Sequence, residues 1–285
     1  MTTATQIDAA ALAESAQLLP ALPPTTTRIM QLVEDPFFDI GELTRLIELD
    51  PALTGRVLRL ANSAASGSLR TMNHVRDAAV FLGAGTVLAL AVSACTRPNA
   101  KCDLSAFGLT KRTYWQHCLG CVAAAEELTS EKVGDFGSGF ITAALLHDFG
   151  KQILAEHLTP SHLEAFRRFR EECPGRAGIE AEREILGVDH ALAGGLVAQH
   201  WQLPADIVHA IEHHHDPSDW DQILSHGVVL ANEVSKEVEG SNHFCHAGSE
   251  HLANSMLALD LSDSRLQSVV KAARKRLSCL LTLFA

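Results

Sequence analysis

Apolar residues recur at three- and four-residue spacing along almost the whole chain, and no stretch sustains the alternation of a half-buried strand. That pattern confines the chain to helix packing, and the expected fold class is all-α. With 285 residues, of which 47% are hydrophobic and 20% charged, it has enough apolar surface for one large domain or two packed lobes.

Helix starts are marked in the first hundred residues. Asp39 with Glu42 has the acid-x-x-Glu form of a cap before Leu43, Leu46 and Ile47. Asp50 followed by Pro51 puts a cap and a first-turn proline before Leu53, Val57 and Leu58. Asn62 to Asn73, with Gly67, reads as a loop, and apolar helices follow over His74 to Leu82 and Thr86 to Cys95. The run Arg97-Pro98-Asn99-Ala100-Lys101-Cys102-Asp103 breaks the pattern. We place a boundary there, giving an N-terminal helical lobe over 1–104 and a second helical lobe over 105–285. Helices are then expected over Lys111 to Leu128, up to His147, and over Pro160 to Glu172, Ile179 to Leu186, Asp189 to Trp201 and Pro204 to His215. Three more are expected near Asp219 to Val238, Ser249 to Leu259 and Asp263 to Leu283.

A formal net charge of -11 argues against a nonspecific phosphate-backbone binder, which needs a basic footprint. The one basic cluster, Lys271, Arg274, Lys275 and Arg276, reads as a solvated helix face, and no nucleic-acid partner follows from it. The N-terminus lacks the pattern of a secretory signal, and no run of about 18 apolar residues occurs. The expectation is a cytoplasmic protein with no membrane partner. Seven cysteines without framework spacing fit a reducing compartment, and Cys118 and Cys121, inside an expected helix, read as small core residues.

One step stands out against this background. Leu145-Leu146-His147-Asp148-Phe149-Gly150-Lys151 sets an adjacent His-Asp pair and a lysine at the end of an apolar helical run, where uncompensated polar groups are costly. Such a pair is a candidate metal or phosphate site. Among the fifteen histidines, His117 lies on the long helix, His190 opens another, and His213, His214 and His215 end a third. Helical geometry puts His214 on the face of Ile207, Ala210 and Ile211, with His213 and His215 each displaced by roughly 100°. The joint placement of His117, His147, Asp148, His190 and His214 favours one shared polar pocket. His157, His162, His200, His209, His226, His243, His246 and His251 read as capping or hydrogen-bonded histidines.

Several ordered motifs resemble the HDOD domain, the HD-related output domain of bacterial signalling proteins. They are Leu19-Pro20-Ala21-Leu22-Pro23-Pro24, Leu46-Ile47-Glu48-Leu49-Asp50-Pro51-Ala52-Leu53, Val57-Leu58-Arg59-Leu60-Ala61-Asn62-Ser63 and Ala78-Ala79-Val80-Phe81-Leu82-Gly83. In the second half the His147-Asp148 step, Asp189-His190, Trp201-Gln202-Leu203-Pro204 and the run from Ala210 to Pro217 continue the likeness. The resemblance spans about residues 18–236.

It implies a two-lobed, HD-domain-like helical bundle that acts as a regulatory output or response-regulator module. Its partners would be signalling proteins or a nucleotide second messenger, and no cofactor is required. HDOD proteins are similar to HD and HD-GYP phosphohydrolases, whose pattern needs a first His, an adjacent His-Asp and a distant Asp. By position these fall on His117, on His147 and Asp148, and on Asn232. The last replaces an anion by a neutral carbonyl. Two unit charges about 4 Å apart at an effective dielectric near 20 interact by about 4 kcal/mol, so the loss weakens divalent-metal binding by orders of magnitude. Glu233 is about 100° around the helix and does not substitute. No Gly-Tyr-Pro follows His214. The alternative is a metal-dependent phosphohydrolase, a phosphodiesterase or nucleotidase, in which His117, His147, Asp148, His190 and His214 hold iron, manganese or zinc and Lys151 contacts phosphate. A third reading is a sensor that binds a nucleotide or metal without turnover.

Overall fold

A computed structural model of the chain describes residues 6–35, 37–63, 71–95, 103–137, 139–174, 176, 178–217, 223–240 and 249–281. The expected boundary at 97–102, most of the loop around Gly67, the start of the helix expected from Asp219, and His243 and His246 lie outside them. Among the described residues there is no strand.

The chain opens with α1 (Ala9–Gln17), α2 (Pro24–Val33), α3 (Ile40–Glu48), α4 (Pro51–Ala61), α5 (Val75–Leu82) and α6 (Ala84–Cys95). Asp50 caps α4 as expected, its Oδ1 accepting from the Ala52 and Leu53 amides at 2.9 and 3.0 Å. Asp39 likewise caps α3 through the Gly41 amide at 2.8 Å, but Glu42 does not return the bond. Its carboxylate accepts instead from Arg28 on α2 at 2.9 Å, so the expected capping box becomes a tie between helices. Asn62 holds the base of the following loop, donating to the Met72 carbonyl at 2.7 Å and accepting from the Met72 amide at 2.6 Å.

After a 3-10 turn at Ser105–Phe107 come α7 (Lys111–Ser130), α8 (Phe140–Leu146), α9 (Gly150–His157), α10 (Pro160–Glu172), α11 (Gly178–Leu186), α12 (His190–His200) and α13 (Ala205–Glu212). The chain closes with α14 (Ile223–Glu239), α15 (Ser249–Ala258) and α16 (Asp263–Leu281). α2 to α6 pack on one another, and α6 joins them to α7. α7 lies against α8, α14 and α16, while α12 packs on α9 and α13. α1 packs on α12 and α9, away from its sequence neighbours, and the Ile7 amide donates to the Leu186 carbonyl at 2.8 Å.

Three sequence expectations change. The helix expected to run to His215 ends at Glu212, and His213 to His215 form the turn that follows. The helical wheel therefore does not apply to them, and His215 is buried beside His214. Arg276 is not part of a solvated face: its guanidinium pairs with Glu126 at 2.5 Å and so ties α16 to α7. No single described helix is long and apolar enough to cross a membrane; α5 and α6 are apolar together but bend by 103°.

Candidate metal centre

The His147-Asp148 step is a corner between two helices. α8 ends at Leu146, His147 serves as its C-cap, and α9 begins at Gly150. The N-terminus of α8 is fixed from α2: Glu34 accepts from the Gly139 and Thr142 amides at 2.7 and 3.0 Å and from the Thr142 hydroxyl at 2.6 Å. Burial raises the Glu34 pKa, and these bonds only partly oppose it. At the other side of the corner α12 crosses α9 at backbone distance. A Cβ on Gly150 would collide with the His190 carbonyl and the Gly194 amide, so only glycine fits after the His-Asp-Phe corner. Gly120 plays the same part on α7, where a Cβ would meet the Ser235 hydroxyl of α14.

These approaches bring four imidazoles around one carboxylate. Asp148 Oδ1 lies 3.2 Å from His190 Nε2, 3.5 Å from His147 Nε2 and 4.0 Å from His214 Nε2. Asp148 Oδ2 lies 3.7 Å from His117 Nε2 and accepts from Lys151 Nζ at 2.6 Å. The other nitrogen of every ring is committed outward. His147 Nδ1 donates to the Ala144 carbonyl at 2.9 Å and His214 Nδ1 to the Ile211 carbonyl at 2.7 Å. His190 Nδ1 donates to Glu182 at 2.6 Å and His117 Nδ1 to Glu239 at 3.1 Å. A carbonyl or carboxylate on Nδ1 fixes the ring and turns Nε2 inward, which is how protein metal sites orient their histidines.

The pocket is sealed from solvent. His147 is 0% exposed, His190 1%, Asp148 and His214 2%, and His117 8%. Burial pushes His147 down to about 3 despite the Asp148 charge, and it holds His214 well below its ordinary value, with His147 and His190 adding to the effect. Burial is the largest influence on His190 and opposes its charge, but Glu182 and Asp148 together prevail and raise it to about 9. Burial works against His117 protonation too, yet Cys121 and Glu239 hold it well above its usual value. Asp148 is held well below the carboxylate range: burial would raise it, but Lys151, then His147 and His190, prevail.

Five sequence-marked residues, His117, His147, Asp148, His190 and His214, thus share one pocket. Lys151 points into it, so contact with a phosphate would require breaking its pair with Asp148. Asn232 is buried on α14, at the i, i+3, i+7 positions that also place Ser235 and Glu239 against His117. Its Oδ1 has no hydrogen-bond partner, and neither does His147 Nε2. Two orphaned buried acceptors are what a donor set for a cation leaves behind, so the residues present fit a divalent metal. Three groups bring donor atoms within 4.8 Å of one another: His147, Asp148 and His214; His190, His214 and His215; and His117, Cys121 and His147.

Sequence reasoning missed Glu182, Glu239, His215 and Cys121. Glu182 had a visible signal, a carboxylate among Ile179, Ala181 and Leu186 on the buried side of α11. Of the histidines read as structural, His157 bonds Ser15, His200 donates to the Leu19 carbonyl, His162 completes a cap with Thr159, and His226 bonds Ser255.

A family model for the HDOD domain matches residues 19–217. The chain belongs to the HDOD domain family. An uncharacterized protein of Treponema pallidum (strain Nichols) is 25% identical over 252 residues, covering 83% of this chain. This HDOD chain spans 46% of that relative's length. An HDOD domain protein of unknown function from Geobacter sulfurreducens superposes with a TM-score of 0.65 at 22% identity, covering 95% of this chain and 98% of the other. A protein from Marinobacter aquaeolei VT8, named for signal transduction, has a TM-score of 0.73 at 21% identity and covers 99% of this chain and 68% of its own. A protein of Shewanella amazonensis SB2B, a phosphohydrolase by name, has a TM-score of 0.63 at 21% identity, covering 96% and 98%. These likenesses show a common HDOD and HD-like helical fold.

Proposed function

We propose that this HDOD chain is a non-catalytic signal-transduction module that acts by binding protein partners or a ligand. One observation carries the reading. The central carboxylate is enclosed, its side chain 3% exposed, with Lys151 on one oxygen and His190 beside the other. A hydrolytic metal centre needs a coordination position open to water and substrate. Here such a position would require moving a buried ion pair, whose disruption costs about 3–5 kcal/mol. The neutral Asn232, in place of a second carboxylate, supports the same reading.

A metal in this pocket would be held through His147 and Asp148, with His117, His190 and His214 beside them. When bound, a divalent cation supplies Lewis-acid polarisation of water or a phosphoryl oxygen. The chain's own residues orient the rings through Glu182, Glu239, Ala144 and Ile211, exclude water, and keep a proton on His190. In the regulatory reading, occupancy of this pocket biases the packing of α7, α9, α12 and α14, and the surface those helices carry changes with it. Such coupling requires different ligand affinity in two conformations.

The test is hydrolysis of phosphomonoester, phosphodiester and cyclic-dinucleotide substrates by the chain loaded with iron, manganese or zinc. The expected rate equals that of Asp148→Ala. Metal-dependent turnover that this substitution abolishes would overturn the proposal in favour of the phosphohydrolase. Thermal-shift titration with cyclic dinucleotides, guanosine tetraphosphate and divalent metals then separates ligands from protein partners, since a ligand of the native state raises the melting temperature.

A further inference from the structure

Cys121 lies one helical turn after His117 on α7, and its Sγ is 3.6 Å from His117 Nε2. The residue is fully buried and its thiol is free. Cys118, three residues earlier, faces Tyr114 instead. A buried cysteine is ordinarily a small apolar filler. Here the thiol sits on the inward nitrogen of a histidine whose other nitrogen is anchored by Glu239. The third member of the group is His147, fully buried, whose Nε2 has no hydrogen-bond partner and whose donor lies within 4.8 Å of the other two.

We propose that Cys121 is a metal ligand, forming with His117 and His147 a nitrogen-and-sulfur site for a zinc-class divalent cation. Its thiolate supplies the anion that Asn232 removes. Asp148 flanks the set with both oxygens, Oδ2 3.7 Å from His117 Nε2 and Oδ1 3.5 Å from His147 Nε2, and a shift of one of them toward Cys121 would make it the fourth donor. A tetrahedral cation with Zn–S of about 2.3 Å and Zn–N of about 2.0 Å separates its sulfur and nitrogen ligands by about 3.5 Å. The observed 3.6 Å separation fits that edge without movement of α7. Four protein donors leave no open position, which is the form of a structural zinc site. Binding releases to solvent the thiol proton and, where the His117 ring is charged, its Nε2 proton, so affinity rises with pH. Soft sulfur with imidazole selects zinc or cobalt over magnesium or calcium. This inference rests on the non-catalytic reading, since a closed donor set holds metal without presenting it to substrate.

The full chain, stripped with chelator and titrated with cobalt(II) alone, tests it. The expected result is one cobalt per chain with a thiolate-to-cobalt charge-transfer band in the near ultraviolet. The band disappears in Cys121→Ser and persists in Cys118→Ser. Cobalt bound without that band, no cobalt bound, or a band lost only in Cys118→Ser would overturn the proposal. The wild-type spectrum decides the first two outcomes even if a variant fails to fold. Phosphoester turnover by a chain that shows the band would refute the non-catalytic reading while leaving the ligand assignment standing.

Discussion

At the scale of single residues, the pocket should make its charge states visible in stability. His147 stays neutral in the folded chain to about 3 because burial removes the hydration of an imidazolium. In the unfolded chain the same group takes a proton near 6.5. Between those values the unfolded state binds more protons, so stability falls as pH drops from about 6.5 toward 3. His190 has the opposite sign. Raised to about 9, it contributes fully below the unfolded value and loses that contribution as pH rises through about 9. Thermal melting of the metal-free chain from acid to alkaline pH should show both limbs, and His190→Gln should flatten the alkaline one. An unchanged alkaline slope in that variant would contradict the His190–Glu182 account. His117, His147, Asp148, His190 and His214 were legible in the sequence because each interrupts an apolar helical face or its end. Cys121 was not, because a cysteine among Leu119, Val122 and Ala123 has the same pattern whether it fills space or binds a metal.

The helices themselves were largely readable, and their ends less so. α10 runs over Pro160–Glu172 as its proline and cap imply. α13 stops at Glu212, because the His213 backbone leaves the helical region at φ -115°. Periodicity has no term for such an end, and His215 is buried through that break. The break from Arg97 to Asp103, where the boundary at residue 104 is placed, lies mostly outside the described residues, and the docking of α1 on α12 is a long-range contact that local pattern does not encode. The tight crossing of α9 and α12 is the element-scale feature most open to test. Gly150→Ala should destabilise the chain by roughly 1–3 kcal/mol or more, since overpacking here meets backbone and not a flexible side chain. A denaturation midpoint equal to that of wild type would mean the helices are farther apart than described.

For the whole molecule, one arrangement joins fold and function. α7, α8, α9, α12, α13 and α14 converge on a buried carboxylate and four buried imidazoles. The enclosure and Asn232 are the observations on which the proposed non-catalytic, regulatory reading stands. Enclosure of the pocket is read out by nitrogen-15 NMR of the histidine side chains across a pH titration of the metal-free chain. His147 is expected to remain a neutral ring with its proton on Nδ1 between about pH 5 and pH 8, the window in which an ordinary histidine changes charge. A His147 that takes its proton near 6.5, as a solvated imidazole does, would contradict it.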